Sequence, residues 1–370
     1  MLDASGRALR DALLKAFAAG PDQPPGPGIF EELALRVHAY SFDRVSPYRA
    51  YCRARDREPG SIRSWVDVPA VPTAAFKELS LLAEGASPEV VFRTSGTTRG
   101  PERRGEHLVP DLSLYRASLR PTFAASLLPD GARLPFLSLM PPPSALPDSS
   151  LAFMIDDVMA ELGDEGTACF AGPAELRYAP LEATIEAAVA ERTPVLLLGT
   201  SAAFIHWLDR LTAAGRSYRL PEGSRLMDTG GFKRAGREVS RADLEGAYVR
   251  RLGLHPWACV NEYGMTELLS QLYDTSLRDR VARRDGPVSK RGAWWIRSVA
   301  VDPDTLEPVP PGEPGLLRHF DLANLGSVPA VQTEDLGRVD EEGLILLGRA
   351  PGAPPRGCSI AMDLLLAADS

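Results

Sequence analysis

The chain has 370 residues, with 44% hydrophobic and 24% charged side chains, proportions that suit one large globular domain or two unequal ones with a sizeable core. Its 41 Lys and Arg face 49 Asp and Glu, and the net charge of -8 argues against general nucleic-acid binding. No apolar run reaches the ~20 residues of a membrane-spanning helix, and Cys52, Cys169, Cys259 and Cys358 show no CxxC spacing for zinc or a disulfide framework, which points to a reducing, cytoplasmic setting.

In chain order, "MLDASGRALRDALLKAF" is broken by Asp3, Arg7, Arg10, Asp11 and Lys15, which does not suit a signal peptide. Leu9, Leu13, Leu14 and Phe17 share one helical face, so an amphipathic helix packed on the body is preferred to a membrane-surface helix. Helices are expected at 5–19 and 30–40, followed by a proline-punctuated connector, "PGSIRSWVDVPAVPTAAFKEL", leading into a short helix. "VVFRT" reads as a buried strand and "PDLSLYRASLRPTFAASLL" as a turn and helix. "RLPFLSLMPPPS" reads as a strand ending in a proline loop, and "LEATIEAAVAERTPVLLLGTSAAFIHWLDRL" as helix, buried strand and helix. "GSRLMDTGG" is a strand and turn, "ADLEGAYVRRLGL" a helix, and "ACVNEYGMTELLSQLY" a short strand, a loop and a helical start. Strands alternating with helices predict an α/β architecture with ligands at the strands' carboxyl ends. From "RGAWWIRSVAVDPDT" onward, short strands and turns predict a β-rich subdomain. The expected boundaries are an α/β core at 1–290, a β-rich subdomain at 291–340 and a short C-terminal segment at 341–370.

The most informative loop is "FRTSGTTRGPERR". Hydroxyls and exposed N–H groups donate to phosphate oxygens, and glycines admit close approach, although a polar hairpin loop has the same composition. The Walker pattern is absent. The order of residues in "TSGTTRGPERR" resembles the phosphate loop of adenylate-forming enzymes, the superfamily of acyl-CoA synthetases, firefly luciferase and peptide-synthetase adenylation domains. "NEYGMTE" resembles the superfamily's Y-G-x-T-E motif, "QTEDLGRVD" its T-x-D-L-G segment, and "DTGGFKRAG" the Gly-rich wall of its adenine pocket.

The resemblance implies the large-domain architecture of that superfamily, ATP and Mg²⁺ as cofactors, and a role for each matched residue. Thr94, Ser95, Gly96, Thr97, Thr98 and Gly100 would hold phosphates; Gly230, Gly231 and Phe232 would wall the adenine; Tyr263, followed by Gly264, would lie against it. Thr266 would meet the α-phosphate, Glu267 would hold Mg²⁺, Asp335 would bond the ribose hydroxyls, and Arg349 in "LGRA" matches a following arginine. The large C-terminal lobe of most members, with its catalytic lysine, is expected to be truncated or vestigial. Lys77, Arg103, Arg104 and Lys233 are candidate substitutes, with Lys233 preferred because it adjoins the adenine wall.

"VPAVPTAAFKE", "GGFKRAG" and the ending "LGRAPGAPPRGCSIAMD" narrow the resemblance to the LuxE-type acyl-protein synthetases and related short enzymes of natural-product pathways. In that family a cysteine near the C-terminus accepts the acyl group, and Cys358 matches it, on a Gly/Pro-rich segment able to swing and with Arg356 to favour thiolate. The implied partners are a carboxylic acid and an acyl-accepting reductase or carrier protein. The alternatives are direct transfer to CoA, an amine or a carrier protein, or a non-catalytic nucleotide- or acyl-binding protein. His206 is expected in the core rather than in an acyl pocket, Trp294 and Trp295 in the core, and His107 and His255 have no assignable partner.

Overall fold

The computed structural model describes residues 1–94, 104–172, 175–230, 233–234 and 237–350, leaving aside the side chains at 233, 234, 237 and 238. Ser95, Gly96, Thr97, Thr98, Gly100, Arg103, Gly231, Phe232, Cys358 and the Lys233 side chain therefore lie outside the described residues. The chain divides into two compact units, one made of 1–121, 265–271 and 289–370, the other of 122–264 and 272–288.

The first unit contains the predicted amphipathic helix, Ala4–Phe17, with Leu9, Leu13 and Phe17 buried and Asp3 capping it by accepting from the Gly6 N–H at 2.8 Å. Helices Ile29–Arg44 and Ser46–Arg53 follow. The predicted β-rich region is an antiparallel run, Ile296–Val301, Pro314–Asp321, Ala330–Asp340 and Gly343–Arg349, with Lys290–Arg291 paired to the last. Val71–Pro72, from the proline-punctuated connector, joins Ala330–Asp340 as a parallel neighbour, with Val71 opposite Val331 and Pro72 opposite Gln332. Phe17 stacks on Trp295 at 4.3 Å between ring centroids; Trp295 is buried as expected, while Trp294 is only half-buried. Val90–Arg93 is a strand, but among the described residues it pairs only with Glu106–Val109, and of its residues only Phe92 is buried.

The second unit is a sheet in the order Ala168–Cys169, Phe136–Ser138, Leu196–Thr200, Arg225–Thr229, Cys259–Tyr263, all parallel, closed by antiparallel Leu272–Asp274. Its central strands are buried along nearly their whole length, as in sheets covered on both faces. Helices Ser150–Leu162, Tyr178–Glu191, Ser201–Ala213 and Arg241–Leu252 fall between the strands, matching the predicted alternation. Leu197, Leu226, Trp207, Tyr248 and Leu181 belong to one core cluster.

Two further expectations fail. No helix starts after "VNEYG": residues 265–271 form a turn and Leu272–Asp274 is a strand. Adjacent Leu268 and Leu269 are both buried, and the Leu269 N–H bonds to Asp321 Oδ2 at 2.9 Å and Asn324 Oδ1 at 3.1 Å, so tertiary partners replace the helical ladder. His206 is exposed on the helix Ser201–Ala213, whose buried face is formed by Phe204, Ile205, Trp207, Leu208 and Leu211.

Candidate active site

In the first unit, the predicted Mg²⁺ and ribose residues come into one electrostatic neighbourhood. Glu267 is only 6% exposed. Burial pushes its carboxyl up to about 7; its own backbone N–H and Arg349 oppose the rise, Asp335 adds to it, and Lys77 opposes it. Asp335 and Arg349 face each other across neighbouring antiparallel strands, with Arg349 Nε 3.6 Å from Asp335 Oδ1. The Asp335 N–H donates to Thr333 Oγ1 at 3.1 Å, and that hydroxyl donates to the Leu317 carbonyl at 2.8 Å, so the backbone at Asp335 is tied to the sheet.

The turn that carries Thr266 and Glu267 is held by residues that motif reasoning misses. Asn324 Nδ2 donates to the Glu267 carbonyl at 2.9 Å, and Ser270 donates its hydroxyl to Asp321 Oδ1 at 2.7 Å. Asp321 is fully buried, and burial raises its carboxyl to about 6 despite these donors. His107 also has a partner after all: its Nδ1 lies 2.7 Å from the Thr266 carbonyl, which has no proton, so Nδ1–H donates. Burial lowers the imidazole to about 4, which keeps it neutral and leaves Nε2 unprotonated. Asp321 and Asn324 show in the sequence only as polar side chains within "FDLANLG", and His107 in "RRGEHLV" carries no such signal.

The stem of the predicted phosphate loop is clamped at both ends. The Thr94 N–H donates to the Gly105 carbonyl and the Gly105 N–H to Thr94 Oγ1, both at 3.0 Å. Arg104 donates Nε to the Thr94 carbonyl at 2.5 Å and Nη2 to the Arg93 carbonyl at 3.1 Å. A side chain on Gly105 would meet Thr94 Cγ2 at 3.1 Å, a tight contact to which the threonine methyl would have to yield by a few tenths of an ångström.

In the second unit, the two predicted adenine segments end adjacent strands. Thr229 pairs with Glu262 in parallel register, which sets Gly230 and Tyr263 one step beyond, at the carboxyl ends. Gly230 has φ 91°, a conformation that favours glycine, and Tyr263 is 8% exposed. Thr229 donates its hydroxyl to Glu262. Beneath them, fully buried Asp228 accepts from Arg241 Nη1 at 2.6 Å, the Tyr248 hydroxyl at 2.9 Å and Asn261 Nδ2 at 3.0 Å. Gly264 and Thr266 are both partly exposed. His255 is exposed and stacks on Trp257 at 5.0 Å, with Glu222 3.4 Å away, so it too has partners.

The fold is similar to that of solved ligases. 2-Hydroxyisobutyryl-CoA ligase, in an open conformation with 2-HIB-AMP and CoA, matches with a TM-score of 0.63 at 15% identity over 88% of this chain and 76% of that one. The same ligase in its postadenylation state with 2-HIB-AMP matches with a TM-score of 0.60 at 15% identity, over 88% and 69%. ATP-bound MatB from Rhodopseudomonas palustris gives 0.49 at 18% identity over 79% of this chain and 54% of MatB, so the chain spans about half the length of that protein. Comparison with curated proteins found no match. The family model for LuxE, acyl-protein synthetase, matches residues 28–366, and the chain belongs to that family. It is an adenylate-forming ligase. No helix among the described residues is long and apolar enough to cross a membrane.

Proposed function

We propose that this chain activates a carboxylic acid as its acyl-adenylate, using ATP and Mg²⁺, and passes the acyl group to Cys358 and then to a partner such as a reductase or a carrier protein. The observation that carries the first step is the buried Glu267 carboxylate, backbone-anchored beside Asp335 and Arg349. A buried carboxyl raised to about 7 gains most from a cation that restores its charge. Mg²⁺ asks one or two carboxylates of a protein and takes its other ligands from water and phosphate, which fits Glu267. Bound there, Mg²⁺ would offset charge on the phosphates.

The residues of this chain bind and orient. Thr94 to Gly100 would wrap the β- and γ-phosphates, Gly230 to Phe232 and Tyr263 would flank the adenine, Thr266 would donate to the α-phosphate, and Asp335 would accept from the ribose hydroxyls. An oxygen of the acid attacks the α-phosphorus, the bond to the β-phosphate oxygen breaks, and the electron pair leaves with pyrophosphate. The Cys358 thiol gives up its proton, and the thiolate attacks the acyl carbon. The bond from that carbon to the AMP phosphate oxygen breaks, which leaves a thioester. A cytoplasmic, reducing setting suits a free thiol.

The test is carboxylate-dependent exchange of labelled pyrophosphate into ATP, screened over fatty, aromatic and polyketide acids. The wild-type chain exchanges with one class, and Glu267→Gln lowers the rate by on the order of 10²–10³, the cost of removing one aimed charge-stabilising group. No exchange with any acid would defeat the reading. For the second step, wild-type protein incubated with ATP and the accepted acid carries a base-labile acyl group, and Cys358→Ser does not while its exchange persists. Equal labelling of Cys358→Ser would reject the cysteine as acceptor and favour direct transfer from the adenylate.

A further inference from the structure

The short helix Ala75–Glu78 carries Lys77 and is fixed to the segments bearing Asp335, Thr266 and Thr94. On its approach, the Thr73 N–H donates to the Gln332 carbonyl at 3.1 Å, three residues before Asp335 on the same strand. Phe76 packs edge-on against His107, with ring centroids 5.7 Å apart at 82°, and His107 holds the Thr266 carbonyl at 2.7 Å. The stem of Lys77 itself lies over the phosphate-loop closure: a Cβ at Gly105 would stand 3.6 Å from Lys77 Cγ. Its side chain is exposed, so the ammonium is able to meet a ligand. Glu267 feels its charge.

Among the described residues, the neighbouring cations Arg104 and Arg349 have other work. Arg104 closes the loop stem through the Thr94 and Arg93 carbonyls, and Arg349 lies against Asp335. We infer that Lys77 is the cation that meets the transferring α-phosphate and the departing pyrophosphate during adenylation. This rests on the adenylation reading above. In the step, a carboxylate oxygen bonds to the α-phosphorus while the bond to the bridging oxygen breaks. No proton moves, and negative charge builds on the phosphate oxygens. An ammonium carried beside the described loop stem at Gly105, on a helix tied to the neighbouring segments, would stabilise that charge with little reorganisation. Lys77 is catalytic in the strict sense, touching the reacting phosphates.

The experiment compares wild type, Lys77→Ala, Lys77→Arg and Lys233→Ala in pyrophosphate exchange. It also measures how far a non-hydrolysable acyl-sulfamoyl adenosine, which has no pyrophosphate, raises each melting temperature. The expected result is a loss of exchange in Lys77→Ala on the order of 10²–10³, partial recovery in Lys77→Arg, and an analogue shift equal to that of wild type. Exchange by Lys77→Ala at the wild-type rate would overturn the assignment. So would loss of exchange in Lys233→Ala with Lys77→Ala intact. A vanished analogue shift in Lys77→Ala would make the residue structural and overturn the assignment too. Wild-type protein that neither exchanges nor responds to the analogue would overturn the adenylation reading, and Lys77 with it.

Discussion

Asp228→Ala is expected to destabilise the protein by on the order of 3–5 kcal/mol, read as a lower urea midpoint at unchanged slope. Asp228 is fully buried beneath the Gly-rich turn, and four donors converge on its carboxylate: Arg241 at 2.6 Å, Tyr248 at 2.9 Å, Asn261 at 3.0 Å and the Ser201 hydroxyl at 3.2 Å. Deleting the carboxylate leaves these donors without that acceptor. Its loss also strips Arg241 of its closest anion, the largest of the influences that raise that guanidinium against its burial. Removing the cation as well should relieve much of the loss. The double variant Asp228→Ala/Arg241→Met is therefore expected to be more stable than Asp228→Ala alone. If the two substitutions add independently, the pair is not coupled and the account is wrong.

Acid should unfold the protein from about pH 6 downward, and histidines are the cause. His38, His107 and His319 are buried, and burial lowers each to about 4. An unfolded histidine titrates near 6.5, so the unfolded chain takes up protons first. The stability these neutral rings contribute is complete above that value and is lost as pH falls from about 6.5 to 4, on the order of 3 kcal/mol each. Two carboxyls act with the opposite sign. Burial raises Glu267 to about 7 and Asp321 to about 6, so the folded protein binds their protons more tightly and gains as pH falls through those values. Three histidines outweigh two carboxyls moved by similar amounts. The urea midpoint should therefore stay nearly level between pH 7 and 6 and then drop steeply towards pH 4. His38→Gln, which retains a partner for the Tyr48 hydroxyl 3.0 Å away, should lower the midpoint at neutral pH yet lose less of it on acidification. An identical pH slope in wild type and His38→Gln would reject this cause.

Local physics made much of the fold legible. The 3.6-residue apolar period places Ala4–Phe17, and unbroken apolar runs place Leu196–Thr200 and Arg225–Thr229, because these patterns answer to burial of one element's own face. The segment "MTELLSQ" defeats the same reasoning. Its side chains suit a helix, but Asp321 and Asn324, more than fifty residues later, take its backbone groups. At the candidate site, the resemblance of "NEYGMTE", "QTEDLGRVD", "LGRA" and "DTGGFKRAG" to the superfamily's motifs pointed to Glu267, Asp335 and Arg349, which the first unit brings together, and to Gly230 and Tyr263, which end adjacent strands in the second. The sequence offers Lys77 only as one of four candidate cations, with Lys233 preferred, and gives His107 no partner, since the contacts of both are made across distant stretches of chain.

The first unit is written in three separated stretches of sequence, and this has a cost during synthesis. Phe17 emerges from the ribosome long before Trp295, on which it stacks, and Val71–Pro72 long before its partner strand Ala330–Asp340. At roughly 5–20 residues per second, the helices Ala4–Phe17 and Ile29–Arg44 must wait on the order of ten seconds or more with their apolar faces uncovered. Residues 122–264 lie together in sequence and can collapse while the ends are still apart. Folding should thus run middle first, leaving a sticky amino-terminal arm that holdase chaperones would shield until the final strands arrive.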